Sequence, residues 1–144
     1  MSAESGPRPQ GLYVAATLSG NTVRTAGMTP RRDGVLLITG RVGAEVGLTA
    51  AREAAAVAVG NALAAVSSVI GATTAFRCVE MVVYIACTPD FVDLSRVADG
   101  ATEVLLRRFG PTGLPSRSAI GVYALPGGAP VEISLTVDTI PASP

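Results

Sequence analysis

Two charged side chains near the end of the chain have the types and settings needed for hydrolytic chemistry. Arg117 lies near the start of the apolar segment Ser116–Ala124, and Glu132 lies within Val131–Val137. A guanidinium beside buried residues can hold a carboxylate or phosphate through paired hydrogen bonds. A half-buried carboxylate can orient or deprotonate water, because partial desolvation raises its pKa. Spacing alone leaves two alternatives open: a rim arginine paired with an acid such as Asp138, and a solvated carboxylate on a polar face.

Two further residues accompany this pair. Tyr13 lies where the first extended segment begins, a position typical of an amphipathic edge residue whose hydroxyl meets water. Gly27 ends the second extended segment, so it either lets the backbone approach a ligand or simply makes a turn. Glycine pairs such as Gly127-Gly128 match neither a P-loop nor a dinucleotide fingerprint, and we interpret them as turn glycines.

The composition excludes several classes of mechanism. The chain has no histidine, which removes histidine general bases, Ser-His-Asp and Cys-His nucleophiles and histidine-ligated metals. Cys78 and Cys87 are too few for a structural zinc site, and we interpret them as reduced, buried side chains. Eleven basic residues balance eleven acidic ones, whereas nucleic-acid binders normally carry a basic excess. We therefore expect no nucleic-acid partner.

Length and hydrophobicity indicate one domain that associates with copies of itself. The 144 residues are the size of a single domain. We assign residues 11–140 to it, with loose tails at 1–10 and 141–144. Hydrophobic residues form 49% of the chain and charged residues 15%, so surplus apolar surface is expected in a subunit interface. No signal peptide is recognised and the apolar runs fall short of the ~18 residues of a membrane span, which predicts a cytoplasmic protein without a membrane partner.

The elements that must position these residues are two helices and several short strands. One helix is predicted from Thr49, as its N-cap, to Ile70, and another from Pro89 to Phe109, with Thr88 as N-cap. Extended segments are predicted at Leu12–Leu18, Thr22–Ala26, Val35–Thr39, Val79–Ile85, Ser116–Ala124 and Val131–Val137. The order β-β-β-α-β-α-β-β predicts an α+β domain, one mixed sheet with two helices on one face. The uncovered face must then meet solvent or another subunit.

The motifs around these residues resemble those of the RidA/YjgF family of reactive-intermediate deaminases. The resemblance runs from Tyr13 to Val137. Its most specific block is Pro-Ser-Arg-Ser-Ala-Ile-Gly-Val at 115–122, followed by Leu-Pro at 125–126 and Val-Glu-Ile at 131–133. The spacing of fifteen from Arg117 to Glu132 also matches the family.

This resemblance implies a chorismate-mutase-like fold, a homotrimer and ligand clefts between subunits. It implies hydrolysis of imines and enamines to 2-oxo acids, with a small carboxylate-bearing substrate and no cofactor or metal. Arg117 matches the residue that holds the substrate carboxylate, and Glu132 the residue that positions water. Backbone at Gly27 and Ala119 would line the pocket, with Tyr13 at its edge.

Two departures from the family pattern bear on the substrate. Typical deaminases of the family read Ser-Gly-Gln where this chain has Ala26-Gly27-Met28, and members often have Cys where it has Ala119. The pocket is therefore expected to be more apolar. Alternatives to a deaminase are an enzyme of altered chemistry in a specialised biosynthetic pathway, and a non-catalytic metabolite-binding or chaperone-like trimer. Ribonuclease activity is disfavoured by the charge balance.

Strand order decides whether Arg117 and Glu132 can share a site. If their strands paired as a simple hairpin, the two residues would lie roughly 20 Å apart at ~3.3 Å per residue. A shared site therefore requires a different strand order or a subunit boundary.

Overall fold

A computed structural model describes residues 6–142, in which two helices pack on one face of a five-stranded sheet. The strands are β1 (Ala16–Ser19), β2 (Thr22–Thr25), β3 (Arg31–Arg32), β4 (Val35–Leu36), β5 (Phe76–Ala86), β6 (Ser116–Val122) and β7 (Val131–Thr139). The helices are α1 (Leu48–Ile70) and α2 (Leu94–Phe109). The predicted α+β class, mixed sheet and helix-covered face are confirmed. The predicted tails fall in part on residues 1–5 and 143–144, which lie outside the described residues.

The strand order of the sheet is β1-β2-β7-β5-β6, so β5 separates the strands that carry Arg117 and Glu132. β5 pairs antiparallel with β7 and parallel with β6. A parallel pair needs a crossover connection, and α2 supplies it. The simple hairpin considered for the last two strands is therefore not formed, and β6 lies at an edge of the sheet.

The third predicted strand does not join this sheet. Within Val35–Thr39, only Val35–Leu36 is extended, and it pairs with Arg31–Arg32 in a separate two-stranded hairpin. Asp33 and Gly34 form the turn with φ of 53° and 80°. Asp-Gly favours this two-residue geometry, because both positions need positive φ. The local turn therefore takes precedence over extension of the sheet.

Helix α1 contacts the sheet through small side chains. Nine of its residues are buried, six of them alanines: Ala51, Ala54, Ala55, Ala58, Val59, Ala62, Leu63, Ala65 and Val66. The predicted N-cap at Thr49 is wrong, because the helix begins at Leu48 with Gly47 as a cap that lacks a side chain. By length and composition α1 could cross a membrane, since its most apolar 18-residue window has a mean hydropathy of 1.6. A search of the sequence for uninterrupted apolar runs does not identify this helix. Its packing against α2 and β7 places it in the core of the domain instead.

Helix α2 begins later than predicted. It starts at Leu94, and the Thr88-Pro89-Asp90 segment forms a turn in which the Phe91 amide donates to the Thr88 carbonyl at 3.1 Å. The Thr88 amide is itself bonded to the Val42 carbonyl at 3.0 Å. This tertiary pairing keeps Thr88 out of the N-cap role that its type suggests. The end of the helix at Phe109, before Gly110, is as predicted.

The last strand alternates as its sequence indicates. Val131, Ile133, Leu135 and Val137 are buried beneath the helices, whereas Glu132, Ser134, Thr136 and Asp138 lie half-buried on the other side. We call this second side, which no helix covers, the open face. Both cysteines are free as predicted. Cys78 is buried, which raises the pKa of its thiol to about 11, but Cys87 is only half-buried.

Candidate functional site

Glu132 lies on the open face directly against the backbone of Gly27. Two hydrogen bonds between Met28 and Ile133, with N···O distances of 2.7 and 2.8 Å, fasten the segment after β2 to β7. A Cβ atom built on Gly27 would lie 2.6 Å from Cδ of Glu132 and 2.8 Å from its Oε1. Any side chain at position 27 would therefore displace the carboxylate. The close approach that Gly27 permits is an approach to Glu132.

The Glu132 carboxylate is partly withdrawn from water. Burial raises the pKa of its carboxyl above the ordinary value of 4.5. Across the described part of the chain, no hydrogen bond or ion pair to this carboxylate is found. Its oxygens can therefore accept hydrogen bonds from water or from a ligand.

Arg117 is held by α2 on the opposite, helix-covered side of the sheet. Its Nη1 donates to Asp99 Oδ1 at 2.7 Å and to Thr102 Oγ1 at 2.9 Å. Its Nη2 donates to Ser95 Oγ at 2.6 Å and contacts the Ser95 carbonyl at 3.3 Å. Both terminal nitrogens are thus occupied, and Nε alone lies outside this network. Because a bidentate grip needs two nitrogens, a second carboxylate must compete with these acceptors for Arg117.

Arg117 forms an ion pair with an acid, as one alternative predicted, but the acid is not Asp138. Arg117 pairs with Asp99, whose position on α2 brings it alongside β6. Asp138 lies near the end of β7 and accepts a hydrogen bond from the Thr22 hydroxyl at 2.8 Å. The strand order explains the difference, because β5 lies between β7 and β6 and Asp138 is on the open face of the sheet.

Arg117 and Glu132 face opposite sides of the sheet within one chain. Arg117 pairs with Met81 of β5, which is buried beneath the helices, whereas Glu132 pairs with Tyr84. Positions three apart on a strand point to opposite faces. The two residues are separated by about 10 Å along the strands and about 10 Å across them. The single chain therefore does not bring them into one site.

The remaining predicted site residues divide between the same two places. Tyr13 is 49% exposed, and its hydroxyl accepts the Gln10 amide at 3.1 Å. Two residues further along, the carbonyl of Ala15 accepts the Ala26 amide at 2.8 Å, so this part of the chain runs beside the segment that contains Gly27. Ala119 lies on β6 opposite buried Val83, on the same face as Arg117.

Sequence reasoning missed the partners of Arg117. Ser95, Asp99 and Thr102 follow one another at spacings of four and three, which places polar groups along one face of a helix. That stripe was the available signal. The sequence does not show which strand the stripe faces.

Comparisons with known proteins give the chain its relatives. A family model described as "Endoribonuclease L-PSP" matches residues 3–139. Protein TCP17 from Trypanosoma cruzi is 31% identical over 132 residues, which cover 90% of this chain and 82% of that protein.

Solved structures agree on the architecture. A protein of unknown function from Agrobacterium tumefaciens is 32% identical, with a TM-score of 0.85, over 90% of this chain and 82% of that one. A putative endoribonuclease from Shewanella oneidensis is 22% identical, with a TM-score of 0.86, over 93% of this chain and 89% of that one. The second likeness concerns the fold alone.

Proposed function

The chain belongs to the endoribonuclease L-PSP family, also called RidA/YjgF, and we propose that it hydrolyses imine or enamine intermediates to 2-oxo acids and ammonia. The observation that carries the proposal is the state of Glu132. Its carboxylate is half-buried, lies against Gly27 and has no protein partner within residues 6–142. A carboxylate with a raised pKa is a better general base for water than a fully solvated one.

The reaction needs one group that moves protons. As water attacks the imine carbon, Glu132 accepts a proton from it and delivers that proton to the nitrogen, giving a tetrahedral adduct with one hydroxyl and one amino group. Glu132 then takes the hydroxyl proton and returns it to the amino group. The carbon–nitrogen bond breaks, ammonia leaves and the 2-oxo acid remains. Proximity of water to the imine carbon is the main contribution required.

The substrate carboxylate is assigned to Arg117, but across a subunit boundary. β6 is an edge strand, whose outer backbone groups have no neighbour in the sheet. If the open face of a second subunit meets this edge in a cytoplasmic homotrimer, Glu132 of the partner subunit lies beside Arg117. The substrate carboxylate would then compete with Asp99 for the guanidinium. Met28 is buried in the core opposite Ile133, so the replacement of the family's Gln by Met28 does not make the space beside Glu132 more apolar.

An imine-consumption assay tests the proposal. 2-Iminobutanoate and bulkier imino acids are generated with an amino-acid oxidase, and imine loss is followed with and without the protein. We expect acceleration by the wild type and about 10²–10⁴-fold lower turnover in Glu132→Gln. Glu53→Gln, at an exposed position on α1, is the matched control and should retain full turnover. The proposal fails if no imino acid reacts faster with the wild type. It also fails if Glu132→Gln is as active as the control.

A further inference from the structure

A cavity of about 950 Å³ lies apart from Glu132 and Arg117, neither of which lines it. It is bounded by residues 6–10, by the β3–β4 hairpin and by one side of α1. Its volume is at the upper end of the range for small-molecule sites. No step of imine hydrolysis at Glu132 uses this space.

The charge around the cavity is one-sided. Arg8, Arg31 and Arg32 line it, and Asp33 is the one acidic residue among the lining groups of the described chain. No ion pair involving these three arginines is found within residues 6–142. The chain as a whole has no net charge and carries its eleven basic groups entirely as arginine. Three of the eleven at one cavity are therefore a local concentration, which attracts anions.

Arg31 is fixed in place but incompletely bonded. Its Nη1 donates to the Gly34 carbonyl at 2.9 Å, while its Nε is buried and has no hydrogen-bond partner in the described structure. Its backbone carbonyl accepts the Asn61 side-chain amide at 2.9 Å, which ties the hairpin to α1. A buried donor without an acceptor is unfavourable. Nη2 of Arg31 also makes no hydrogen bond within the described residues and, unlike Nε, is not buried, so it can donate to an oxyanion in the cavity.

The floor of the cavity is one side of α1, where three small residues lie beside Val57 and Asn61. Ala56, Gly60 and Ala64 follow one another along α1 at intervals of four residues. A Cβ atom built on Gly60 would meet no other atom within 4 Å, so the space above it is open. Glycine within a helix is less stable than alanine, yet here it leaves the floor without side-chain bulk. Such a floor suits a flat group lying along the helix.

We propose that this cavity binds a small phosphorylated metabolite, with its phosphate held by Arg31, Arg32 and Arg8 and a flat uncharged part against Gly60. Arginine is suited to phosphate because its fork of donors matches the oxygens in geometry. The charge of more than one arginine favours a dianionic group over a single carboxylate. The site is independent of Glu132 and of imine turnover.

Calorimetric titration at low salt tests the site with three probes: adenosine monophosphate, inorganic pyrophosphate and uncharged adenosine. We expect the monophosphate and pyrophosphate to bind, and adenosine to bind at least about tenfold more weakly than its monophosphate. Arg31→Gln and Arg32→Gln should each weaken binding of the monophosphate by about tenfold. Arg107→Gln, at an exposed position in the last turn of α2, should change it by less than about twofold.

A second variant tests the floor without removing charge. Gly60→Leu extends into open space, so it should fold, weaken the monophosphate more than pyrophosphate, and leave imine turnover unchanged. The proposal is overturned if neither phosphorylated probe binds, if adenosine binds as well as its monophosphate, or if Arg107→Gln weakens binding as much as Arg31→Gln. Loss of imine turnover in Gly60→Leu would overturn the independence of the two sites.

Discussion

The two faces of the sheet differ in whether their charged candidate residue has hydrogen-bond partners in the protein. On the covered face, Arg117 makes contacts through both terminal nitrogens to three residues of α2. On the open face, Glu132 lies against Gly27 with no partner within residues 6–142. The cation is satisfied and ties α2 to an edge strand, while the anion is left available. The available group is the stronger candidate for chemistry, and the satisfied group must be released before it can bind.

The largest effect on turnover is expected at Gly27, where an added Cβ atom would collide with Glu132. Gly27→Ala should lower imine turnover by about 100-fold, because its Cβ would push the Glu132 carboxylate from its position. Gly47→Ala adds a Cβ that meets nothing within 4 Å, and it should keep turnover near that of the wild type. Steady-state rates of the two variants make the comparison. Equal rates would mean that the position of the carboxylate does not matter.

On the helix-covered face, we expect substitution of Arg117 to reduce the stability of the fold. Arg117→Ala should lower the free energy of unfolding by about 1–2 kcal/mol, since it removes an ion pair and leaves hydrogen-bonding groups on α2 without a donor. The value is modest because Asp99 is 47% exposed. Urea denaturation measures the effect against Arg107→Ala, which makes no ion pair in the described chain. If the two variants are equally stable, the α2 network contributes nothing to the fold.

Weakening the ion pair between Asp99 and Arg117 tests whether Arg117 binds the substrate as well as stabilising the fold. Asp99→Asn keeps an acceptor but removes its charge, so a substrate carboxylate competes better for the guanidinium. We expect KM to fall by about threefold with kcat little changed. Asp90→Asn, exposed in the turn before α2, is the control. A rise in KM would show instead that Asp99 orients Arg117 for the substrate.

The smallest effect concerns the pH dependence of stability. Burial raises the pKa of Glu132 in the folded state, so the folded protein retains a proton that the unfolded chain has released. The contribution of Glu132 to the free energy of unfolding is fully present below the pKa of the unfolded chain. It is lost as pH rises through the higher pKa of the folded state. Glu132→Gln should therefore be slightly more stable than the wild type at pH 7, by less than about 1 kcal/mol. Thermal unfolding should show this advantage disappear below about pH 4.

The sequence predicted what depends on local patterns and missed what depends on tertiary neighbours. Alternation in β7 placed Glu132 on the face away from Val131, Ile133, Leu135 and Val137, and the structure agrees. The start of α2 was misjudged because Thr88 pairs with Val42, which lies far away in the chain. For the site, the close contact of Gly27 with Glu132 depends on the register of Met28 against Ile133. No pattern in either segment specifies that register.

The partners of Arg117 show the same limit. Its residue type indicated an anionic partner, and Asp138 was the example of a nearby acid that the sequence offered. The partner is Asp99, because the crossover through α2 lays that helix along β6. Residue type thus indicated the kind of interaction, and chain topology selected the residue.

Arginine is the basic residue around the cavity and also throughout the chain, which has no lysine. The amine of lysine condenses with carbonyl compounds to form Schiff bases. Guanidinium groups stay protonated in proteins and are poor nucleophiles for that reaction. If the protein releases 2-oxo acids, none of its side chains offers an amine to them. Positive charge carried by arginine would then protect the protein from covalent modification by its own products.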